Sequence, residues 1–175
     1  MQMCDQTTSP DGEEVIRTFW AHFAPCRGGL YAYIRKSLNY SEDSDDIFQE
    51  TVLRAYKYFT GFQADRSFRT WIYAIAHNEL KKQYKRKSEA VDHLPEELCS
   101  GKDGSTDPLM REEVRRLHLL AMDLKPAWRE VFFLYYQDGF SVDEVAAVTG
   151  RSGGYVKFIL HRCRKAVRAR LGDLS

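Results

Sequence analysis

Apolar side chains along this chain recur at helical spacing, and we find no run that alternates apolar and polar residues as a half-buried strand does. Within residues 45–59, for example, Phe48, Val52, Tyr56 and Phe59 recur at i, i+4, i+8 and i+11. This spacing predicts one buried stripe on a helix. Because no hairpin signal lies between β-branched segments either, we predict an all-α fold.

A first helical domain is predicted over residues 10–87. Its helices are expected to begin after Pro10, near Leu30, at Asp45 and near Phe68. A proline and two glycines in residues 25–29 separate the first two helices, and a glycine at position 61 separates the last two.

The last of these helices, "FRTWIYAIAHNELKKQYKRK", changes from aromatic to cationic along its length. Its inward face is expected to carry Trp71, Ile72, Ile75, Ala76 and Leu80. Its outward face is expected to carry Tyr73, His77, Asn78, Lys81, Lys82 and Lys85. Aromatic rings stack on unpaired bases and lysines bind phosphates, so this face suits single-stranded or melting DNA. In the alternative interpretation, Tyr73 and His77 only close the edge of the core.

Residues 88–110 interrupt the apolar periodicity. They contain two prolines, two glycines and a series of acids opposed only by Lys102. We therefore predict a flexible acidic linker. Its "SGKDGST" stretch lacks the first glycine and the Ser or Thr after lysine that a phosphate-binding loop needs, so no nucleotide site is expected.

The second domain, residues 111–172, contains a helix-turn-helix pattern. Ser141 and Glu144 have the spacing of a capping box at the start of a short helix. Gly150 allows a tight turn, Ser152 can cap the next helix, and Val156 and Ile159 have the spacing that packs it against the first. A plain helical hairpin that binds no ligand is the alternative, but it does not explain the basic block from Arg162 to Arg170.

Charges are strongly segregated, although 26 basic and 25 acidic side chains leave a net charge of only +1. Residues 41–50 are acidic, residues 81–87 are basic, the linker is acidic, and residues 162–170 are basic. Two basic blocks on two separate helices indicate a nucleic-acid partner.

Several classes of protein are disfavoured by composition. No apolar run approaches the roughly 20 residues that span a bilayer, and the N-terminus lacks the pattern of a secretory signal, so we predict a cytoplasmic protein without membrane insertion. The 4 cysteines are scattered, and His22 with Cys26 provides only two ligands, so neither a disulfide framework nor a metal site is expected. We find no catalytic arrangement and predict no enzyme activity and no cofactor.

Three segments resemble, in order, the motifs of the extracytoplasmic-function sigma factors of bacterial RNA polymerase. "SDDIFQETVLRAYKYF" resembles the helix of that family that binds core polymerase. "FRTWIYAIAHNELKKQYKR" resembles the helix that opens and reads the minus-10 promoter element. "LKPAWREVFFLYYQDGFSVDEVAAVTGRSGGYVKFILHRCRKAV" resembles the region that reads the minus-35 element.

The resemblance implies roles for individual residues. Binding to the clamp of the β′ subunit would involve Asp46, Gln49, Glu50 and Arg54. The minus-10 element would be bound by Phe68, Tyr73, His77, Asn78, Lys81, Lys82 and Lys85. The minus-35 element would be bound by Ser152, Tyr155, Lys157, Phe158, His161, Arg162 and Lys165. It also implies contact with the β flap, an anti-sigma partner and a monomer when free.

One departure from the family pattern concerns the recognition helix. Phe158 and Ile159 stand where the family commonly has Ser and Arg. Ile159 is expected in the core, whereas Phe158 would face the DNA groove, where it could contact a thymine methyl group but could not hydrogen-bond to guanine. Two rival interpretations remain: a sigma-like decoy that binds an anti-sigma protein, and a stand-alone helix-turn-helix repressor.

Overall fold

The computed structural model describes residues 12–38, 40–63, 65–91, 124 and 126–172, and the described residues form helices. The first module contains α1 (Gly12–Phe23), α2 (Arg27–Ser37), α3 (Asp43–Tyr58), a 3-10 turn (Phe59–Gly61) and α4 (Phe68–Val91). The second contains α5 (Pro126–Tyr136), α6 (Val142–Thr149) and α7 (Gly153–Gly172). The predicted all-α fold is confirmed for these residues. Most of the predicted linker, and the first residues of the predicted second domain, lie outside the described residues.

The buried stripe of α3 differs by one position from the one that the spacing predicts. The buried side chains of α3 are Ser44, Ile47, Thr51 and Ala55. Thr51 donates its hydroxyl to the Ile47 carbonyl at 2.7 Å, which satisfies this polar group within the helix. The predicted stripe of aromatic residues lies on the adjacent side, where Tyr56 packs against Phe19 of α1 with ring centroids 5.4 Å apart.

An aromatic cluster joins the end of α3 to the start of α4. Phe59 and Phe68 pack against Phe19 of α1. Phe62 packs against Phe68 in an edge-to-face arrangement, with ring centroids 5.5 Å apart. Aromatic pairs of this kind stabilise packing beyond the area that they bury. The cluster therefore holds the loop between the two helices against the core.

The helix-turn-helix in the second module is confirmed. The Ser141 hydroxyl accepts from the Glu144 amide at 3.2 Å, and the Glu144 carboxylate accepts from the Ser141 amide at 2.8 Å. Gly150 ends α6 in the left-handed region at φ 64°, which glycine adopts without steric cost. At the start of α7, the Ser152 hydroxyl accepts from the Tyr155 amide at 3.2 Å.

The two modules pack directly against each other. Helix α6 lies along α4, and α5 contacts α2. Buried apolar side chains of both modules form one cluster, in which Phe140, just before α6, packs against Tyr73 of α4 with ring centroids 4.8 Å apart. The structure therefore shows a closed arrangement of the modules.

The capping box at the start of α6 yields a stability prediction. We expect Ser141→Ala to lower the free energy of unfolding by about 1 kcal/mol, because the Glu144 amide in the first turn loses its hydrogen-bond partner. Urea denaturation followed by circular dichroism measures the loss. Ser141→Asp is the matched control, because aspartate can cap the same helix; an equal loss in both variants would contradict a capping role.

Candidate nucleic-acid interface

Helices α3 and α4 enclose a cationic groove of about 670 Å³. Four of the predicted minus-10 residues line it: Asn78, Lys81, Lys82 and Lys85. These four side chains are exposed, as expected. Arg54, which was predicted to bind polymerase, lies on the opposite wall together with Tyr58. The groove thus combines an amide, an aromatic ring and four cations, a combination that suits the bases and phosphates of nucleic acid.

A buried carboxylate lies beneath this groove. Glu79 is almost fully buried, and its Oε1 lies 3.0 Å from Arg54 Nε and 2.8 Å from Lys82 Nζ. Arg54 also pairs with Glu50 at 2.7 Å. A buried charge is costly unless it is paired, so Glu79 holds Arg54 and Lys82 in place and ties α3 to α4. Sequence reasoning did not identify Glu79 as a functional residue.

The expectation that Tyr73 lies on the outward face of α4 is wrong. Tyr73 is 0% exposed and lies between Tyr33 of α2 and Phe140, with ring centroids 5.1 and 4.8 Å away. Burial raises the pKa of the Tyr73 hydroxyl well above its usual value. Phe68 is also buried, at 7% exposure, within the aromatic cluster. Because helices pack on more than one side of α4, helical spacing alone could not separate its core positions from its surface positions.

His77 also faces the second module rather than solvent. Its Nδ1 lies 2.5 Å from Oε1 of Glu130 on α5, and the same carboxylate oxygen accepts a hydrogen bond from the Tyr33 hydroxyl. The His77 and Glu130 side chains are both mostly buried. Glu130 therefore connects α2, α4 and α5, a role that no motif in the sequence indicated.

Asp138, in the turn after α5, is a half-buried acid at the interface between the modules. Burial raises the pKa of its carboxyl to about 6, although the nearby cations Lys36 and Arg69 act in the opposite direction. Its backbone carbonyl accepts a hydrogen bond from the Arg69 guanidinium, which also lies 4.0 Å from the centroid of the Phe140 ring. Through these two contacts Arg69 connects the start of α4 to this turn.

Helix α7 presents a mixed aromatic and basic face. Phe158 is 48% exposed, and the guanidinium of Arg162 lies 5.4 Å from the centroid of its ring. The guanidinium of Arg151 stacks in the same way on Tyr155, at 5.1 Å. The other predicted minus-35 side chains on this face are also exposed: Ser152, Lys157, His161 and Lys165. Ile159 is buried, which confirms its predicted place in the core.

The exposed side of α3 carries the remaining candidates. Asp46 and Gln49 are exposed, whereas Glu50 and Arg54 are half-buried. Beside them lies an open groove of about 380 Å³, and its lining includes Trp20, Gln49 and Leu53. Trp20 is 50% exposed and Leu53 is 65% exposed. Exposed large apolar side chains that border charged ones are typical of a protein-binding surface, and sequence analysis missed this part of it.

Two further observations concern ligands and membranes. Among the described residues, no group of three or more His, Cys, Asp or Glu side chains could hold a metal ion. Within the same part of the chain, no helix is both long and apolar enough to span a bilayer.

Comparison with protein families matches both modules. Residues 23–90 match the family model for sigma-70 region 2, and residues 115–167 match the model for sigma-70 region 4. The two models together cover most of the chain, in the order that the sequence motifs suggest.

Similar proteins agree with this result. The chain is 28% identical over 159 residues to the ECF RNA polymerase sigma factor SigW of Bacillus subtilis, covering 83% of this chain and 84% of that protein. It is 30% identical to the ECF RNA polymerase sigma factor EcfG of Rhodopseudomonas palustris, covering 75% of this chain and 72% of the relative. It is 32% identical to the ECF RNA polymerase sigma-E factor of Escherichia coli, covering 73% of each.

Solved structures share the fold. The sigma factor RpoE in complex with the anti-sigma factor NepR from Bartonella quintana matches with a TM-score of 0.79 at 18% identity, over 89% of this chain and 98% of that one. CnrH, solved in complex with the cytosolic domain of CnrY, matches with a TM-score of 0.64 at 26% identity, over 91% of both chains.

The raised pKa of Asp138 predicts a pH dependence of stability. The folded protein holds the Asp138 proton up to about pH 6, whereas the usual pKa of this carboxyl is 3.8. The stabilisation that the protonated group contributes to the folded state is therefore full below about pH 3.8 and is lost as the pH rises through about 6. We expect the Tm of Asp138→Asn, relative to the unmodified protein, to rise between pH 4 and pH 7 in thermal melts. Asp65→Asn, which changes an exposed carboxylate, is the control. A Tm difference that stays constant with pH would contradict a desolvated Asp138.

Proposed function

The chain belongs to the sigma-70 family, in its extracytoplasmic-function group, and from this premise we propose that it binds core RNA polymerase, recognises the minus-35 and minus-10 promoter elements and helps to melt DNA at initiation. The observation that carries the proposal is the groove on α4, where the exposed amide of Asn78 stands beside Lys81, Lys82 and Lys85 within the residues that match sigma-70 region 2. A sigma factor of this kind acts without catalysis or a cofactor, as a monomer in the cytoplasm.

At the minus-10 element, Asn78 would hydrogen-bond to the edge of an unstacked base while the three lysines bind the neighbouring phosphates. Tyr73 and His77 would complete the base pocket only after the modules separate, because the second module covers both side chains in the closed arrangement. Phe68 would hold the adjacent loop from its core side, given its burial in the aromatic cluster.

Binding to polymerase would use the exposed side of α3. Asp46, Gln49, Glu50 and Arg54 would form polar contacts with the β′ clamp, and the apolar side chains of Trp20 and Leu53 would add the buried area that a stable interface needs. The second module would contact the β flap. Because the Bartonella quintana relative was solved with an anti-sigma factor, we also propose an anti-sigma partner for this chain.

At the minus-35 element, α7 would lie in the major groove with its mixed face toward the bases. Arg162 and Lys165 would contact phosphates or guanine, and Phe158 would pack against the methyl group of a thymine. The stacking of Arg162 on the Phe158 ring orients the guanidinium before DNA binds. We therefore expect a minus-35 element in which thymine lies opposite Phe158.

Run-off transcription tests the function as a whole. The chain is added to bacterial core polymerase over a library of genomic promoters, and we expect start sites that depend on the chain. Binding to core without any such start sites would favour the decoy. Sequence-specific DNA binding without any binding to core would favour a stand-alone repressor.

Asn78→Ala tests the minus-10 contact. We expect open-complex formation to fall about tenfold, because a hydrogen-bonded base contact contributes about 1–3 kcal/mol. Permanganate reactivity of unpaired thymines measures the melted fraction. Glu14→Ala, at an exposed position on α1, is the control; retained melting with Asn78→Ala would contradict the assignment.

Replacing minus-35 thymines by deoxyuridine tests the proposed role of Phe158. Deoxyuridine lacks only the methyl group, which contributes about 0.8 kcal/mol when buried, so we expect about a fourfold loss of affinity in promoter-binding titrations. Phe158→Ser should bind the two DNAs equally well, and the half-exposed site should tolerate serine. The same loss with both proteins would exclude Phe158 as the contact.

A further inference from the structure

We propose that Glu79 is a positioning residue of the minus-10 groove: its buried carboxylate fixes cations on both walls of the groove, and sequence recognition depends on it although it is an acid. This inference rests on the proposed function of α4 and deepens it. It assigns a role to a residue that acts through its neighbours and not by contact with DNA.

Glu79 has the opposite charge to the one that a phosphate-binding groove needs. It lines the same groove as Asn78 and the lysines that would bind phosphates. A carboxylate and a phosphate repel each other, and salt screens this repulsion less at a buried group than at an exposed one. On charge alone, Glu79 would weaken the binding of a nucleic-acid strand, so any contribution to recognition has to come from its contacts.

The contacts of Glu79 join two cations through a single oxygen atom. Its Oε1 lies 3.0 Å from Nε of Arg54 on α3 and 2.8 Å from Nζ of Lys82 on α4. The Glu79 side chain is only 7% exposed, whereas those of Arg54 and Lys82 are 39% and 47% exposed. Hydrogen bonds between charged groups are stronger than neutral ones, and the surrounding core fixes the carboxylate itself. Both cations are therefore held from below by a group that cannot move.

Lys82 depends on this contact more than Arg54 does. Nε of Arg54 also meets a carboxylate oxygen of Glu50 at 2.7 Å, so Arg54 keeps an acidic partner when Glu79 is lost. For Lys82, Glu79 is the acid that pairs with it in the described part of the chain. A lysine without a partner moves among many rotamers, and binding a phosphate then costs the entropy of ordering the side chain. Glu79 lowers that cost by ordering Lys82 before DNA binds.

The position of Lys82 also affects the base contact. Lys82 follows Asn78 by four residues, so both side chains lie on the same side of α4, and both line the groove. Contacts to phosphates set the register of a strand, whereas contacts to base edges read its sequence. An ammonium group at a fixed place holds a phosphate at a defined distance from the Asn78 amide and so brings one base to that amide. Without Glu79, Lys82 would attract the strand in several registers, and sequence discrimination would fall.

The test compares Glu79→Gln with Glu14→Gln in the holoenzyme reconstituted with core polymerase. Each variant loses one negative charge with little change of shape, and Glu14 is exposed on α1. Fluorescence anisotropy measures the affinity for a single-stranded oligonucleotide with the minus-10 non-template sequence from the run-off experiment, and for a scrambled oligonucleotide of the same composition. The ratio of the two affinities is the discrimination.

We expect the discrimination of Glu79→Gln to fall about tenfold, the loss typical of one base contact. Its affinity for the scrambled oligonucleotide should not fall below that of Glu14→Gln, because the change in net charge is the same. Glu14→Gln should discriminate as the unmodified protein does. If Glu79→Gln instead binds both oligonucleotides more tightly with unchanged discrimination, Glu79 acts only as a repulsive charge and the proposal is overturned.

A double-variant cycle separates positioning from a merely structural role. In a Lys82→Gln background Glu79 has no lysine to position, so Glu79→Gln should cause no further loss of discrimination. Additive losses would overturn the assignment, because they would show that Glu79 acts independently of Lys82. If Glu79→Gln fails to fold, Glu79→Asp replaces it. The charge then stays and the carboxylate is withdrawn by one methylene group, so the same loss is expected, and unchanged discrimination would overturn the proposal.

Transcription separates this inference from the proposed function. If the unmodified chain supports no initiation with core polymerase, the proposed function fails and the inference fails with it. If the unmodified chain initiates but Glu79→Gln discriminates the minus-10 sequence as well as Glu14→Gln does, only the role of Glu79 is overturned.

Discussion

Helix α4 divides its surface between buried packing, contact with the second module and solvent, and the remaining architecture follows from this division. Ile72, Ala76 and Leu80 are buried in the core, while Tyr73 and His77 meet the second module. The sector that carries Asn78 and the lysines is the part left to solvent. Because a helix turns once in about 3.6 residues, these faces adjoin one another, and a change in the partner that packs on one face alters the contacts available to the other two. Folding, closure of the modules and nucleic-acid binding are therefore coupled through one helix.

Electrostatics on this helix follow the same division. The buried carboxylate of Glu79 pairs with Arg54 and Lys82 and so stabilises the wall of the cationic groove. On the opposite side, the carboxylate of Glu130 in the second module contacts the His77 ring and accepts a hydrogen bond from the Tyr33 hydroxyl, both in the first module. A net charge of +1 conceals both arrangements, because the sum does not record where in the structure each charge lies, while the exposed lysines set the local potential.

The second module shows how far local patterns can predict structure. The capping box of Ser141 and Glu144, the turn at Gly150 and the burial of Ile159 were all predicted from spacing, since each depends on residues close in the chain. In the first module, the stripe of α3 was predicted one position away from the observed one. Aromatic residues have the larger apolar surface, but the fully buried positions of α3 include the small residues Ser44, Thr51 and Ala55.

The sequence by itself determined the helices, their caps, the helix-turn-helix and the two basic blocks, because these depend on local spacing and composition. The tertiary structure alone decided that Tyr73 is buried, that Glu79 organises the groove and that Glu130 connects the modules. The contact between Tyr33 and Glu130 joins residues 97 positions apart. Spacing within a helix cannot predict such a contact, since the partner of each helix face is chosen by the packing of the whole chain.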